Sequence, residues 1–199
     1  MKIYDISQEV FSCRVFPGDP SPEKNALMNI RDGDVCNLTE FKMCAHNGTH
    51  VDAPFHFIDG EETIDQVSLD KFIGPAYVAE HEGLLKKEDA LRVIGEARAC
   101  NAQAAEMILI KGDVTVTEEA AEVFAETKIK LYGNESQTVG PEDAPMAVHL
   151  IMLGAKIVLL EGIRLADVPV GTYLLNAAPI NLGGSDGAPC RAVLIKIDE

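Results

Sequence analysis

Three of the five histidines in this chain fall within eleven residues, His46, His50 and His56, with Asp52 between them. Two imidazoles and a carboxylate are the usual ligand set for Zn²⁺, Mn²⁺ or Fe²⁺. Such an ion lowers the pKa of a coordinated water from about 15.7 to roughly 7, which suits hydrolysis of a small amide or ester at neutral pH. The four-residue spacing of His46 and His50 would put both rings on one face of a helix. Asn47, Gly48 and Pro54 disfavour that helix, so a strand end followed by a tight loop is expected, with Gly48 free to take a positive φ. Clustered histidines can also be ordinary surface residues. The interposed Asp52 and the flanking Gly and Pro favour metal binding here.

Two further residues extend the pattern. His149 lies in an otherwise apolar run (Ala147, Val148, Leu150, Ile151, Met152), and Glu161 follows the apolar stretch Ile157–Leu160. A carboxylate at the end of a buried strand is costly unless paired or metal-bound. Taken alone, His149 would read as a satisfied core histidine and Glu161 as an exposed strand end. Beside the first motif, the pair reads better as the completion of a metal shell. His81, in the polar turn Glu80–Gly83, reads as surface. Cys44, two residues before His46, is weighed as ligand or nucleophile, against the commoner role of free Cys as a small buried hydrophobe. Phe16, Phe55 and Phe57 are candidates for an apolar pocket wall or for core packing.

The elements that must hold these residues are α/β in character. Alternating or β-branched patterns predict strands over Lys2–Ile6, Val35–Ala45, Gly74–Glu80, Glu106–Ile110, Lys128–Tyr132, Lys156–Leu160, Thr172–Leu175 and Cys190–Ile197. Helices are predicted over Lys87–Ala97, Thr115–Thr127 and Pro141–Leu153, the last with Pro at its first turn and Gly154 just past its end. Strands alternating with helices in the second half imply some parallel pairing, and the first half looks antiparallel, so the sheet should be mixed. At 199 residues, with no repeat or linker, the chain is expected to form a single domain over 1–199.

Charge and composition exclude some functions. The net charge of −15 argues against binding a phosphate backbone, hence no nucleic acid partner. No apolar run approaches 18 residues and the N-terminus lacks a signal-peptide core, so no membrane association and a cytoplasmic location are expected. Five cysteines without C-x-x-C spacing make a disulfide framework or zinc knuckle a poor reading.

The stretch His46-Asn47-Gly48-Thr49-His50-Val51-Asp52-Ala53-Pro54-Phe55-His56 matches H-x-G-T-H-x-D-x-P-x-H throughout. It resembles the hallmark of the cyclase family of metal-dependent hydrolases, which includes bacterial kynurenine formamidase and isatin hydrolase. Further similarity runs through Tyr4–Ser7, Pro17–Pro20, Leu69–Ala76, Leu159–Gly162 and Ala188–Val193, and so spans nearly the whole chain. The resemblance implies a swivelling β/β/α fold, a homo-oligomer (dimer or tetramer), and one or two divalent ions, Zn or Mn. It implies that His46, His50 and Asp52 hold the first ion. In two-metal members Asp52 would bridge to a second ion on His149 and Glu161, and His56 would be the catalytic acid/base. The implied reaction is hydrolysis of a small amide, of aryl formamide or cyclic imide/lactam type. The alternative is a metal-binding scaffold without hydrolytic activity. Where many relatives carry a Thr-Gly-Trp loop, this chain has Lys111-Gly112-Asp113 and no Trp anywhere, which implies a different substrate wall.

Overall fold

The structure, a computed structural model, describes residues 1–196. The end of the strand expected over Cys190–Ile197 lies outside the described residues. Along the chain run β1 (Lys2–Asp5), β2 (Glu23–Met28), β3 (Leu38–Lys42), β4 (His50–Asp52), β5 (Ile73–Glu80) and β6 (Gly83–Leu85). Helix α1 (Lys87–Cys100), β7 (Met107–Lys111), β8 (Val114–Val116), α2 (Glu118–Thr127) and β9 (Leu131–Asn134) follow. Then come α3 (Met146–Gly154), β10 (Val158–Glu161), β11 (Gly171–Asn176), β12 (Gly187–Pro189) and β13 (Val193–Lys196).

Nine strands form one curled mixed sheet in the order β1-β13-β11-β5-β7-β9-β10-β4-β12. The centre, β5-β7-β9-β10, is parallel, and both flanks are antiparallel. Parallel strands need their faces covered, and the side-chain alternation of each strand supplies two apolar faces. Tyr77, Ile108, Ile110, Tyr132 and Leu159 pack under the three helices with Val93, Phe124 and Met152. Val78, Leu109, Leu131, Val158 and Leu160 fill the opposite face, over which the sheet curls so that Val51, Phe72, Leu175 and Leu194 join them. Burying one such side chain is worth about 1.5–3 kcal/mol. The mixed α/β fold expected from the sequence is the fold observed.

Several boundaries differ from the expected ones, for local reasons. Thr115 and Val116 belong to β8, which pairs in parallel with β6. Helix α2 starts only after Thr117, whose Oγ1 accepts the Ala120 N–H at 3.3 Å. Lys128 takes a left-handed conformation (φ 57°) that closes α2, so β9 begins at Leu131 rather than Lys128. The strand expected from Val35 begins at Leu38, because Asn37 Oδ1 and Asp34 Oδ2 accept the Ile30 and Asn29 N–H groups and hold the preceding residues in turns. Helix α3 begins at Met146 rather than Pro141, since Pro141 and Ala144 close a turn of their own before Pro145 caps the helix. Among the described residues, no helix is long and apolar enough to cross a membrane.

Candidate metal and catalytic site

The site grows from β4, a strand of three residues clamped between β10 and β12. His50 pairs with Glu161 on one side and Pro189 on the other, and Asp52 pairs with Leu159 and Gly187. Alternation points His50 and Asp52 to the face shared with Glu161, while Val51 enters the core beneath. Helix α3 lies over that face. His149 shares a helix stripe with Met152 and Leu153, so the packing that buries those two carries the imidazole inward.

The tight loop expected around Gly48 is present, but His50 and Asp52 stand on the strand that follows it rather than in the loop. Asn47 Oδ1 accepts the Cys44 N–H at 2.9 Å, and Asn47 Nδ2 donates to the Pro20 carbonyl, which draws the Phe16–Pro20 loop over the site. Gly48 has φ +69°, a conformation that favours glycine. Its carbonyl accepts from His50 Nδ1 and from Gln137 Nε2, both at 3.0 Å. After β4, Pro54–His56 form one short turn that swings His56 back alongside His46.

The inner group is Asp52, His50, His149 and Glu161, all between 1% and 3% exposed. His50 Nε2 lies 3.4 Å from both Asp52 Oδ1 and Glu161 Oε2. His149 Nε2 lies 3.3 Å from Glu161 Oε1 and 3.7 Å from Asp52 Oδ2. The outer nitrogens are committed to backbone, because His50 Nδ1 donates to Gly48 O and His149 Nδ1 donates to Pro145 O at 2.8 Å. Both imidazoles are therefore held with Nε2 facing the two carboxylates, the orientation in which ligating histidines are fixed. His50 Nε2 and Asp52 Oδ2 are buried without a hydrogen-bond partner, which is costly unless something else binds them.

The outer group is His46, His56 and Asp186. His46 Nδ1 is 2.9 Å from Asp52 Oδ1, and its Nε2 is 2.7 Å from Asp186 Oδ2. His56 Nδ1 is 3.2 Å from the same Asp186 oxygen. The rings of His46 and His56 stack with centroids 4.0 Å apart. Asp52, His149 and Glu161 form one possible ligand trio; His46, His50 and Asp52 form a second, and His46, His56 and Asp186 a third. Cys44 belongs to none of them, although it lines the same cavity.

Charge in the site is tightly balanced. Burial alone would pull His50 down, but the Asp52 and Glu161 carboxylates outweigh it and hold the imidazole up to about 9. Burial is likewise outweighed at His46, where Asp52 and Asp186 push it up to about 11, and at His149, which Glu161 raises. Asp52 stays well below the usual carboxylate range despite its burial, through His46 and His50. The hydrogen bonds from His46 and His56 lower Asp186 in the same way. Protonated imidazoles and a divalent cation are alternative ways to neutralise these carboxylates. The donor set of imidazole nitrogens and carboxylate oxygens fits such an ion.

All six residues singled out from the sequence, His46, His50, Asp52, His56, His149 and Glu161, come together around one cavity of about 380 Å³ or its floor. Phe16 and Phe57 line it and Phe55 does not; Phe57 stacks on the His149 ring at 4.5 Å. Asp186 was not singled out. Its only trace in the sequence was a Gly-rich loop holding one acidic residue. The Lys111–Asp113 turn is absent from the cavity wall and packs against Glu82. His81 is not simply surface, since Nε2 bonds to Leu84 O and Nδ1 faces Asp89 on α1. A wider hollow of about 570 Å³, beside Phe11, Phe41 and Arg191, contains none of the histidines.

Residues 4–141 match the Cyclase family, described as "Putative cyclase". The chain is 32% identical over 208 residues to the kynurenine formamidase of Salinibacter ruber, covering 98% of this chain and 97% of that protein. It is 32% identical over 201 residues to cyclase-like protein 1 of Oryza sativa subsp. japonica, covering 89% and 73% of the two chains. Among solved structures, a potential metal-dependent hydrolase with cyclase activity superposes with a TM-score of 0.84 at 25% identity, over 100% of this chain and 99% of the other. Isatin hydrolase A from Labrenzia aggregata superposes with a TM-score of 0.82 at 19% identity, over 98% and 94%, a likeness of fold. With the family matched over more than half its length and a relative 32% identical almost end to end, this protein belongs to the cyclase family.

Proposed function

We propose that this chain hydrolyses a small amide, an aryl formamide or a cyclic imide or lactam, with the help of a divalent metal ion. It is a metal-dependent hydrolase acting on C–N bonds other than peptide bonds, in keeping with its kynurenine formamidase relatives. One observation carries the reading. His50 Nε2 and Asp52 Oδ2 are buried without hydrogen-bond partners, beside His149 and Glu161. His46, His50 and Asp52 would hold one ion, zinc or manganese, and Asp52, His149 and Glu161 a second where two bind. When bound, a divalent ion polarises a carbonyl oxygen and brings the pKa of water to roughly 7.

The chain's own residues do the rest. The ionised Asp186 accepts the Nδ1–H of His56, so Nε2 is the nitrogen that takes a proton and delivers it to the departing nitrogen. An imidazole is suited to that exchange near neutrality, worth about 10²–10⁴-fold. Phe16 and Phe57 give the cavity apolar walls, and its 380 Å³ is in the range of small-ligand sites. Residues 1–199 act as one catalytic domain; the pairing of β1 with β13 joins the two ends of the described chain. A homo-oligomer, dimer or tetramer, is supported by Leu27, Leu38 and Phe41, exposed on the β2–β3 hairpin. The unpaired cysteines fit a cytoplasmic location.

The test is a screen of the zinc- and manganese-loaded protein against aryl formamides, isatin-like imides and lactones. Turnover of either nitrogen-containing class is expected. Turnover of lactones alone would contradict the C–N assignment, and bound metal with no turnover of any class would favour a metal-binding scaffold.

A further inference from the structure

Asp186 precedes β12 and is fixed there from both sides. Its carbonyl accepts the Ala53 N–H at 2.9 Å, and the next residue, Gly187, pairs with Asp52. A Cβ on Gly187 would lie 2.8 Å from His46 Cε1 and 2.8 Å from the Val51 carbonyl. The backbone of β12 is therefore moulded against the His46 ring, at a distance that only glycine allows. From this position a single oxygen, Asp186 Oδ2, reaches His46 Nε2 at 2.7 Å and His56 Nδ1 at 3.2 Å. Ser185 Oγ approaches the other oxygen at 3.4 Å.

The arrangement answers a physical problem. Two imidazoles stacked at 4.0 Å repel whenever both carry charge, and nothing in the stack itself selects which nitrogen of either ring holds the hydrogen. An anion bonded to both rings offsets the repulsion and sets both tautomers. With Nε2–H of His46 donated to Asp186, Nδ1 is the nitrogen that donates to Asp52 in the metal-free chain and that would turn its lone pair to an ion held with Asp52 and His50. With Nδ1–H of His56 donated to the same oxygen, the exchangeable proton of His56 sits on Nε2.

We infer that Asp186 is a positioning residue that couples the metal shell to the proton shuttle by orienting His46 and His56 through one carboxylate oxygen. The inference rests on the proposed metal-hydrolase reading of the site. Carboxylates that orient ligating histidines are typically worth 10–100-fold in metal affinity or activity.

The experiment compares the parent with Asp186→Ala and Asp186→Asn, whose amide oxygen can still accept both N–H groups without the charge. Zinc and cobalt dissociation constants, the visible spectrum of the Co²⁺-loaded protein, kcat and KM are read for each, with thermal melting as the check on folding. Asp186→Ala is expected to weaken zinc about 10–100-fold, alter the Co²⁺ spectrum and lower kcat about 10–100-fold with KM nearly unchanged. Asp186→Asn should recover part of each loss. Parental zinc affinity and kcat in Asp186→Ala would overturn the inference. So would an effect on KM alone, which marks a substrate contact, or loss of a whole equivalent of metal at saturation, which marks a ligand. Should the parent turn over no substrate, the hydrolase reading fails separately, and the affinity and Co²⁺ spectra still decide the role of Asp186.

Discussion

The inner and outer halves of the site are built from the same residue types and held in opposite ways. Inside, His50 and His149 are pinned by backbone carbonyls, on a strand and a helix that the core packing fixes, and no residue is more than 3% exposed. Outside, His46 and His56 are held by the side chain of Asp186, itself 41% exposed, on a loop. Backbone anchoring in a dry pocket suits a group that must keep an ion in one geometry. Side-chain anchoring at a partly wet rim suits a group that must exchange protons and meet substrate. The lesson is a division of labour, with retention inside, traffic at His56, and His46 reaching from the rim to Asp52 to join the two.

The sharpest way to break that division is His56→Ala. The inner group does not include His56, so metal content by elemental analysis should stay at the parental level while kcat falls about 10²–10⁴-fold. Parental turnover would remove His56 from proton transfer, and loss of metal would erase the distinction between the halves.

Proton competition gives a smaller, graded effect on the inner half. In the metal-free chain His50 is held up to about 9 by Asp52 and Glu161, so an incoming ion must displace its proton below that pH. Metal affinity should fall about tenfold per pH unit for each proton displaced. The metal-free fold should respond in the opposite sense. A raised imidazole pKa contributes stability that is complete below the unfolded value of about 6.5. That stability is lost as pH rises through about 9. Metal titrations and metal-free melting curves from pH 6 to 9 check both signs, and a pH-independent affinity would show that His50 carries no proton to displace.

What could be read in the sequence follows the same line. His50 and Asp52 were legible from the spacing of the His46–His56 cluster, and His149 and Glu161, a histidine in an apolar helix and a carboxylate closing an apolar strand, became legible only beside it. The central strands were legible from long β-branched runs such as Met107–Lys111 and Val158–Leu160. Strands β4 and β12 were not, since three residues are too few for alternation to register, and the site hangs on both. Asp186 escaped because its meaning is entirely tertiary. It stands in a loop rich in glycine, and its partners His46 and His56 lie 140 and 130 residues away.

The central claim is that the unpartnered atoms of His50 and Asp52 are metal donors, and anomalous scattering from crystals grown with zinc or manganese tests it most directly. The account predicts an anomalous peak within bonding distance of His50 Nε2 and an Asp52 oxygen, with any second peak beside His149 and Glu161. A fully occupied metal held only by the outer residues, or none at the inner group under saturating metal, would contradict it.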